Sequence, residues 1–449
     1  MSLRIDAKAT WVLAWPIMVG QLAQTGTAFV DAVMAGHVSA ADLAAVSVGA
    51  SIWTTLIVTL MGLLLAISPL AAQRVGANAQ AELPGLTQQA LYQAILAGGM
   101  AMLIAHAVLP VFDHLGLTAE VADKAKRFLA AVSWGLPALA ISRVLYGYSS
   151  ALNQTKPMMV IALIALALNI PANWVLIYGY FGFPALGAVG CGWATALCMW
   201  VSALMWLLWI RHAPVYRGTH PFDKIRGIDW QAQWQLAKLG IPIGMMFFIE
   251  VSAFSLIALL IARLGTTAVA AHQVALNFAS LLFMIPMAIG TALTVRVGHA
   301  AGAGDWVQAR LIGQNGVRLG LIVAALGGGL TMLLGGQIAR LYTQDAAVLA
   351  LATQLLVFAG LFQFSDATQV VASGVLRGYQ STRLPMVLHL LAFWLIGLPL
   401  GYALTFGLGP IAAHGAQGYW LALVVALTFA ALSLLWLFRR VSLSRLSNS

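Results

Sequence analysis

Three carboxylates stand inside stretches that are otherwise apolar enough to cross a membrane: Asp31, Glu250 and Asp366. The other ten acidic residues fall in loops, tails or the ends of predicted helices. A charge at the centre of a bilayer costs about 2.5–3.5 kcal/mol on insertion scales, so three such acids need an account. Their helices carry few basic partners. Arg263 and Arg377 fall only at predicted helix ends, away from the expected mid-depth of the acids. The expected counter-charge is therefore mobile: a proton, a metal cation or a cationic substrate. Carboxyl groups taken out of water favour their neutral form, which lets protons compete with cations. The plainer reading of any one acid is structural, as a group that stays protonated or accepts hydrogen bonds from neighbouring helices.

Polar neighbours extend the pattern. Asn169 and Asn173, in "LNIPANW", are four residues apart on one helical face. They suit ligation of a cation or a bond to Asp31, and equally suit ordinary bonds between helices. Pro16 precedes Asp31 within the same span and serves as a hinge or a structural kink. Phe254, Phe278, Phe362 and Phe364 are expected near the acids and suited to contact aromatic or cationic cargo, although packing accounts for each one separately. The nine histidines show no metal-ligand spacing, and Cys191 and Cys198 read as small core residues. No phosphate-binding GxxxxGK[ST] loop and no nucleophile–base pattern is visible. An enzyme is not expected, and neither is a cofactor.

The elements that carry these residues are helices of membrane length. Of 449 residues, 61% are hydrophobic and 8% charged, against roughly 25% charged in a soluble domain. Hydropathy predicts twelve spans, near 11–35, 47–72, 88–111, 128–150, 157–180, 187–210, 236–263, 270–298, 311–335, 348–375, 384–407 and 417–438. The opening "MSLRIDAKATW" leads into a full-length span, so no cleavable signal is expected. The net charge of +10 reads as basic loops that orient the helices, not as a nucleic-acid surface. The Lys and Arg bias places both termini in the cytoplasm, although Lys124, Lys126 and Arg127 oppose it locally.

The polar segment 211–235 divides the chain into an amino-terminal lobe, 1–210, and a carboxy-terminal lobe, 236–449. The halves resemble each other. Pro16 and Pro242 are 226 residues apart, as are Pro184 and Pro410, and Gly192 and Gly418, while "RVG" recurs at Arg74 and Arg296. Six helices per repeat keeps the two repeats in one orientation, with a central site expected between them. The acids break this symmetry. At the 226 offset Glu250 faces Gln24, Asp31 faces Ile257 and Asp366 faces Ala140. Asp31 is thus assigned to an amino-lobe site, and Glu250 with Asp366 to a carboxy-lobe one.

"QLAQTGTAFVDAVMAGHVSAADLAAVSVGASIW" (21–53), "NIPANWVLIYG", "GAVGCGWATAL", "ALNFASLLFMIPMAIGTALTVRVGHAAGAG" (275–304) and "LFQFSDATQVVASGVLRGYQSTRLP" (361–385) resemble the multidrug and toxic compound extrusion (MATE) family. The joint presence of "FVDAVMAG", "FIEVS" and "FQFSDA" points to its NorM branch. The resemblance implies an all-α polytopic membrane protein, with twelve transmembrane helices in two six-helix lobes around a V-shaped cleft. It also implies export of cationic, amphipathic drugs and dyes, driven by Na+ or H+. Asp31 matches the family's amino-lobe acid, with Asn169 and Asn173 beside it, and Glu250 and Asp366 match the carboxy-lobe cation pair. Gln273, Ser51 and Asp345 match positions that some relatives use for drug contact. Gln24 joins them as a candidate substrate contact. Phe362 stands where some relatives have a tyrosine, so a ring contact to a cation replaces an oxygen ligand.

The expectation is therefore a monomeric antiporter of the bacterial inner membrane that works by alternating access. A lipid or polysaccharide flippase of the same superfamily is the alternative, favoured only if the intramembrane charge were basic.

Overall fold

The computed structural model describes residues 3–408, 410 and 412–447. Its long helices follow the twelve predicted spans and extend most of them. They are α1 (Leu3–Gly36), α2 (Ala40–Leu64, continued by Ile67–Gly76), α3 (Leu83–Ala107), α4 (Ala119–Ser133 and Leu136–Ala151), α5 (Lys156–Tyr178) and α6 (Ala188–His212). Then come α7 (Trp230–Ala262), α8 (Thr266–Gly302), α9 (Trp306–Tyr342), α10 (Ala346–Gly378), α11 (Arg383–Phe406) and α12 (Ala416–Ser447). Ten are long and apolar enough to cross a membrane, and α4, bent by 42° at its break, makes an eleventh. Helix α1 is 34 residues long, so it has the length. Gln21, Gln24, Thr25, Thr27 and Asp31 dilute its hydropathy.

Two compact units emerge from the contacts. One comprises 16–74 with 79–244, the other 1–15, 75–78 and 245–449. Helices α1 and α7 each run unbroken through a proline, Pro16 and Pro242. Within the second unit, helices approach to backbone distance through small residues. Gly374 of α10 lies so close to Gly290 of α8 that a Cβ would stand 2.3 Å from the Gly290 oxygen, and Thr294 donates to the Gly374 carbonyl at 2.8 Å. Such small-residue contacts are a common way for membrane helices to close-pack. The aromatic core of this unit joins Phe254, Phe362, Phe393 and Trp420.

The polar segment after α6 is held down. Gln88 donates to the carbonyls of Pro221 and Lys224, Gln89 to that of Gly227 and Tyr92 to that of Arg226. Its free backbone acceptors are thereby satisfied by α3.

Matching hydrogen bonds trace the internal repeat turn by turn. The Ala79 amide bonds the Arg74 carbonyl as the Asp305 amide bonds that of Ala300, an offset of 226. Gln154 to Ser149 and Ser381 to Leu376 correspond at 227. Leu186 to Leu176 and Gly187 to Ile177 correspond to His414 to Leu404 and Gly415 to Thr405, at 228. The repeat thus gains two residues along its length. This corrects the constant 226 offset in the last hairpin: Gly418 is the counterpart of Gly190, not of Gly192. Both pack onto the preceding helix, Gly190 on Leu176 and Gly418 on Leu404. One of the added residues can be located. The matching turns that bound α5 and α11 enclose one more residue in α11, and α11 alone of the two contains a π-helical segment, Leu391–Gly397. Single-residue insertion into an α-helix gives such a bulge, often at functional sites.

Candidate functional site

Asp31 lies within the first unit on α1 and is 6% exposed. Its Oδ1 accepts from Asn173 Nδ2 at 2.6 Å and from Asn169 Nδ2 at 3.3 Å, and its Oδ2 accepts from Thr195 Oγ1 at 2.7 Å. Asn173 also donates to Asn169 Oδ1 at 2.9 Å. The i, i+4 spacing of the two amides on α5 makes them converge on one carboxylate, and α6 supplies the hydroxyl. Both amides are wholly buried. Asn173 Oδ1 alone in this cluster has no donor, and it is available to a proton on the carboxyl group or to a cation.

In the second unit, Glu250 of α7 faces a small open pocket, without a hydrogen-bond or ion-pair partner among the described residues. Asp366 of α10 is buried, one turn beyond Phe362, whose ring meets that of Phe254, one turn beyond Glu250, at a centroid distance of 6.3 Å. Gln369 sits one turn beyond Asp366 and donates to its Oδ1 at 3.2 Å. The other end of the Gln369 amide meets His389 Nε2 at 2.7 Å, and His389 Nδ1 meets the Pro385 carbonyl at 2.8 Å. The indole of Trp394, in the π-helical segment, donates to the Ile249 carbonyl at 3.3 Å, fixing α11 beside Glu250. Among the described residues no three His, Cys, Asp or Glu side chains converge. A hard cation here would therefore take further ligands from amides, hydroxyls or carbonyls.

The other sequence candidates lie elsewhere. Phe362 is buried, edge-on to Phe254 and Trp420 at centroid distances of 6.3 and 5.8 Å. Gln273 is exposed on α8 and donates to Asn277 at 3.4 Å. Ser51 is exposed and bonds its own helix at Val48. Asp345 caps α10, accepting from the Val348 amide at 2.9 Å. Gln24 is exposed on α1. Pro16 is buried inside α1, at the point where the chain passes from one compact unit to the other.

Sequence reasoning missed several charged or polar groups. Thr195, Gln369 and His389 complete the two acid clusters. Gln369 was findable, since it lies three residues after Asp366 on the same face. Arg377 is corrected outright. It is 6% exposed and lines the same pocket as Glu250. Although it lies in the last turn of α10, the packing of α7 and α11 brings that turn and Glu250 to one pocket. Arg143 is a second buried guanidinium, inside α4, against Met61 Sδ at 3.4 Å and over the Tyr146 ring. Asp6 and Asp42, read as peripheral, are buried and bonded. Asp6 pairs with Arg296 at 2.9 Å and accepts from Asn315 at 2.6 Å. Asp42 joins Ser39, Lys124 and the Ala188 amide.

The MatE family model matches residues 16–175 and 242–403. The chain belongs to the MatE family. The two matched segments begin 226 residues apart and end 228 apart, the same drift that the turn hydrogen bonds show. They carry Asp31, Asn169 and Asn173 in the first and Glu250, Asp366, Gln369, Arg377 and His389 in the second. This MatE chain is 44% identical over 444 residues to a probable multidrug resistance protein NorM of Chromobacterium violaceum, covering 98% of the chain and 95% of the relative. It is 44% identical to the multidrug resistance protein PmpM of Pseudomonas aeruginosa, covering 97% and 91%. Among solved structures it resembles the eukaryotic MATE transporter AtDTX14, with a TM-score of 0.88, 20% identity and coverage of 99% and 98%. A MOP superfamily transporter from Pyrococcus furiosus, described as having a binding pocket of reverse polarity, gives a TM-score of 0.85 at 19% identity, covering 97% and 96%. These two likenesses establish the fold.

Proposed function

We propose that this chain is a secondary active multidrug efflux antiporter that exports cationic, amphipathic compounds in exchange for Na+, H+ or both. Its MatE membership makes it a multi-span transporter, and the curated relatives are named for multidrug resistance. The observation that carries the finer reading is Glu250, a carboxylate that faces a pocket without a partner among the described residues, on a helix whose Phe254 packs against Phe362, one turn from Asp366. Two acids sharing a site keep both negative charges only when a cation joins them, and otherwise one of them takes a proton. Cargo and coupling ion then compete for the same groups, and this competition is the differential affinity that an alternating-access cycle requires. Asp31, caged by Asn169, Asn173 and Thr195, serves as the second ion- or proton-binding acid, on the amino-terminal lobe. The lobes comprise 1–210 and 236–449, joined by 211–235, in a monomer in the inner membrane with both termini cytoplasmic. Gln273, Ser51, Asp345, Phe362 and Gln24 are assigned to cargo contact and Pro16 to a hinge.

The test is ethidium efflux from proteoliposomes under separately imposed Na+ and pH gradients. The wild type should pump under at least one gradient. Asp31→Asn, Glu250→Gln and Asp366→Asn should each reduce pumping while the protein remains monodisperse. Wild-type rates in all three variants would sink the mechanism.

A further inference from the structure

The pocket that holds Glu250 also contains a cation with nothing to neutralise it. Arg377 is 6% exposed, lines the pocket, and has neither an ion pair nor a hydrogen-bond acceptor among the described residues. Buried charges are ordinarily paired. The nearby polar groups do not supply the missing acceptor. His389 has both ring nitrogens engaged, by Pro385 and Gln369, and the Gln369 amide is spent on His389 and Asp366. Ser373, one turn before Arg377 on the same face of α10, is 5% exposed, lines the same pocket, and its hydroxyl has no partner. Glu250 lies on the α7 wall and makes no ion pair with Arg377. The lining therefore presents a lone carboxylate on one helix, and a lone guanidinium with a lone hydroxyl on another.

We infer that Arg377 and Ser373 form a subsite for a single negatively charged group, separate from the carboxylates that take the cation. The guanidinium offers a planar fork of donors suited to a carboxylate, and the hydroxyl adds a third donor. Met246, Phe283 and Met287 give the pocket apolar walls, and a low-polarity surround strengthens a charge-assisted hydrogen bond. The pocket is small, so it takes one end of a larger cargo or a free monovalent anion. A cargo that carries both charges would satisfy both halves at once. The inference rests on the reading that Glu250 receives the cationic part.

Equilibrium binding to the purified protein in detergent, without any gradient, tests it. The probes are a rhodamine with a free carboxylate and the same dye as its methyl ester, measured by fluorescence polarisation in chloride and in isethionate at equal ionic strength. Wild-type protein should favour the free acid by about tenfold, as one charge-assisted pair is worth, and Arg377→Gln should bring that ratio to about one. A preference that is independent of chloride assigns the anion to the cargo. Ester binding that chloride strengthens in the wild type but not in Arg377→Gln assigns it to a free anion. The same ratio in both proteins, with no chloride effect in either, overturns the subsite. If Arg377→Gln does not yield monodisperse protein, Arg377→Lys and Ser373→Ala read the same ratio. Both should lower it by about two- to threefold, and an unchanged ratio in both again overturns the subsite. Glu250→Gln should weaken both dyes alike. If it weakens neither, the cation reading fails on its own, while the acid-to-ester ratio still decides Arg377.

Discussion

Asn173 Nδ2 donates to Asp31 Oδ1 at 2.6 Å, and the same amide group donates to Asn169 Oδ1 at 2.9 Å. One side chain on α5 thus holds both the acid of α1 and its own neighbour one turn away. Asn173→Leu would remove both bonds and leave the buried carboxylate with Asn169 and Thr195 alone. The expected cost is about 1–3 kcal/mol of stability, read as a lowered midpoint in a thermal unfolding scan, with a loss of gradient-driven efflux. Asn173→Asp should fare worse, because it sets a second acid against the first. Wild-type efflux in Asn173→Leu would show that the cage does not serve transport.

The Gln369 link between Asp366 and His389 yields a separable prediction. Gln369→Leu keeps the approximate volume but cuts both bonds. Efflux should fall at least tenfold and the protein should stay folded, with a loss of about 1–3 kcal/mol from the unsatisfied buried imidazole. Efflux within twofold of the wild type would confine Gln369 to packing.

The Asp6–Arg296 pair ties the start of α1 to α8 inside one compact unit, with Thr10 and Asn315 as additional partners. Breaking a buried pair by removing one partner typically costs about 3–5 kcal/mol, because the other charge is stranded. Arg296→Ala should therefore lower the thermal midpoint strongly. The exposed Arg74–Glu82 pair lies in the "RVG" of the other half, four residues out of register with Arg296 in the repeat that the turn hydrogen bonds trace. Arg74→Ala should cost no more than about 1 kcal/mol. Equal losses in the two variants would refute the distinction.

Gly187 and Gly415 are equivalent turn residues, each with a φ of 56°. Alanine at either position costs about 1–3 kcal/mol for the positive φ. Their surroundings differ. A Cβ at Gly187 would lie 2.5 Å from Asp42 Oδ1, whereas one at Gly415 meets nothing within 4 Å among the described residues. Gly187→Ala should also disturb the Asp42 bond to the Ala188 amide and be clearly the less stable variant. Comparing the two midpoints under identical conditions checks this, and equal midpoints would contradict it.

The reach of the sequence can be judged residue by residue. Twelve spans were legible because each apolar run must cross the bilayer with its backbone bonds satisfied internally, and hydropathy reads that directly. The duplication was legible from Pro16 and Pro242, although the Gly192–Gly418 and "RVG" pairings beside them are out of register. The three acids stood out because charge is scarce in such a chain, and the pairing of Asn169 and Asn173 followed from helical spacing alone. Contacts between helices were not legible. The recruitment of Thr195 to Asp31, the placement of His389 against Gln369 and the shared pocket of Arg377 and Glu250 join residues distant in sequence. No one-dimensional periodicity encodes which helix faces another, or how close two backbones come. The last step in the drift of the repeat, from 227 to 228, was hidden for a related reason. A single inserted residue in α11 is absorbed as a π-helical segment, a change of hydrogen-bond pattern that leaves hydropathy untouched. Composition and local spacing are enough to specify the membrane-spanning helices, the duplication and the identity of the uncompensated acids. Which donors meet each acid, and that a lone arginine shares the pocket of Glu250, depends instead on how helices far apart in the chain pack against one another, which the folded molecule alone specifies.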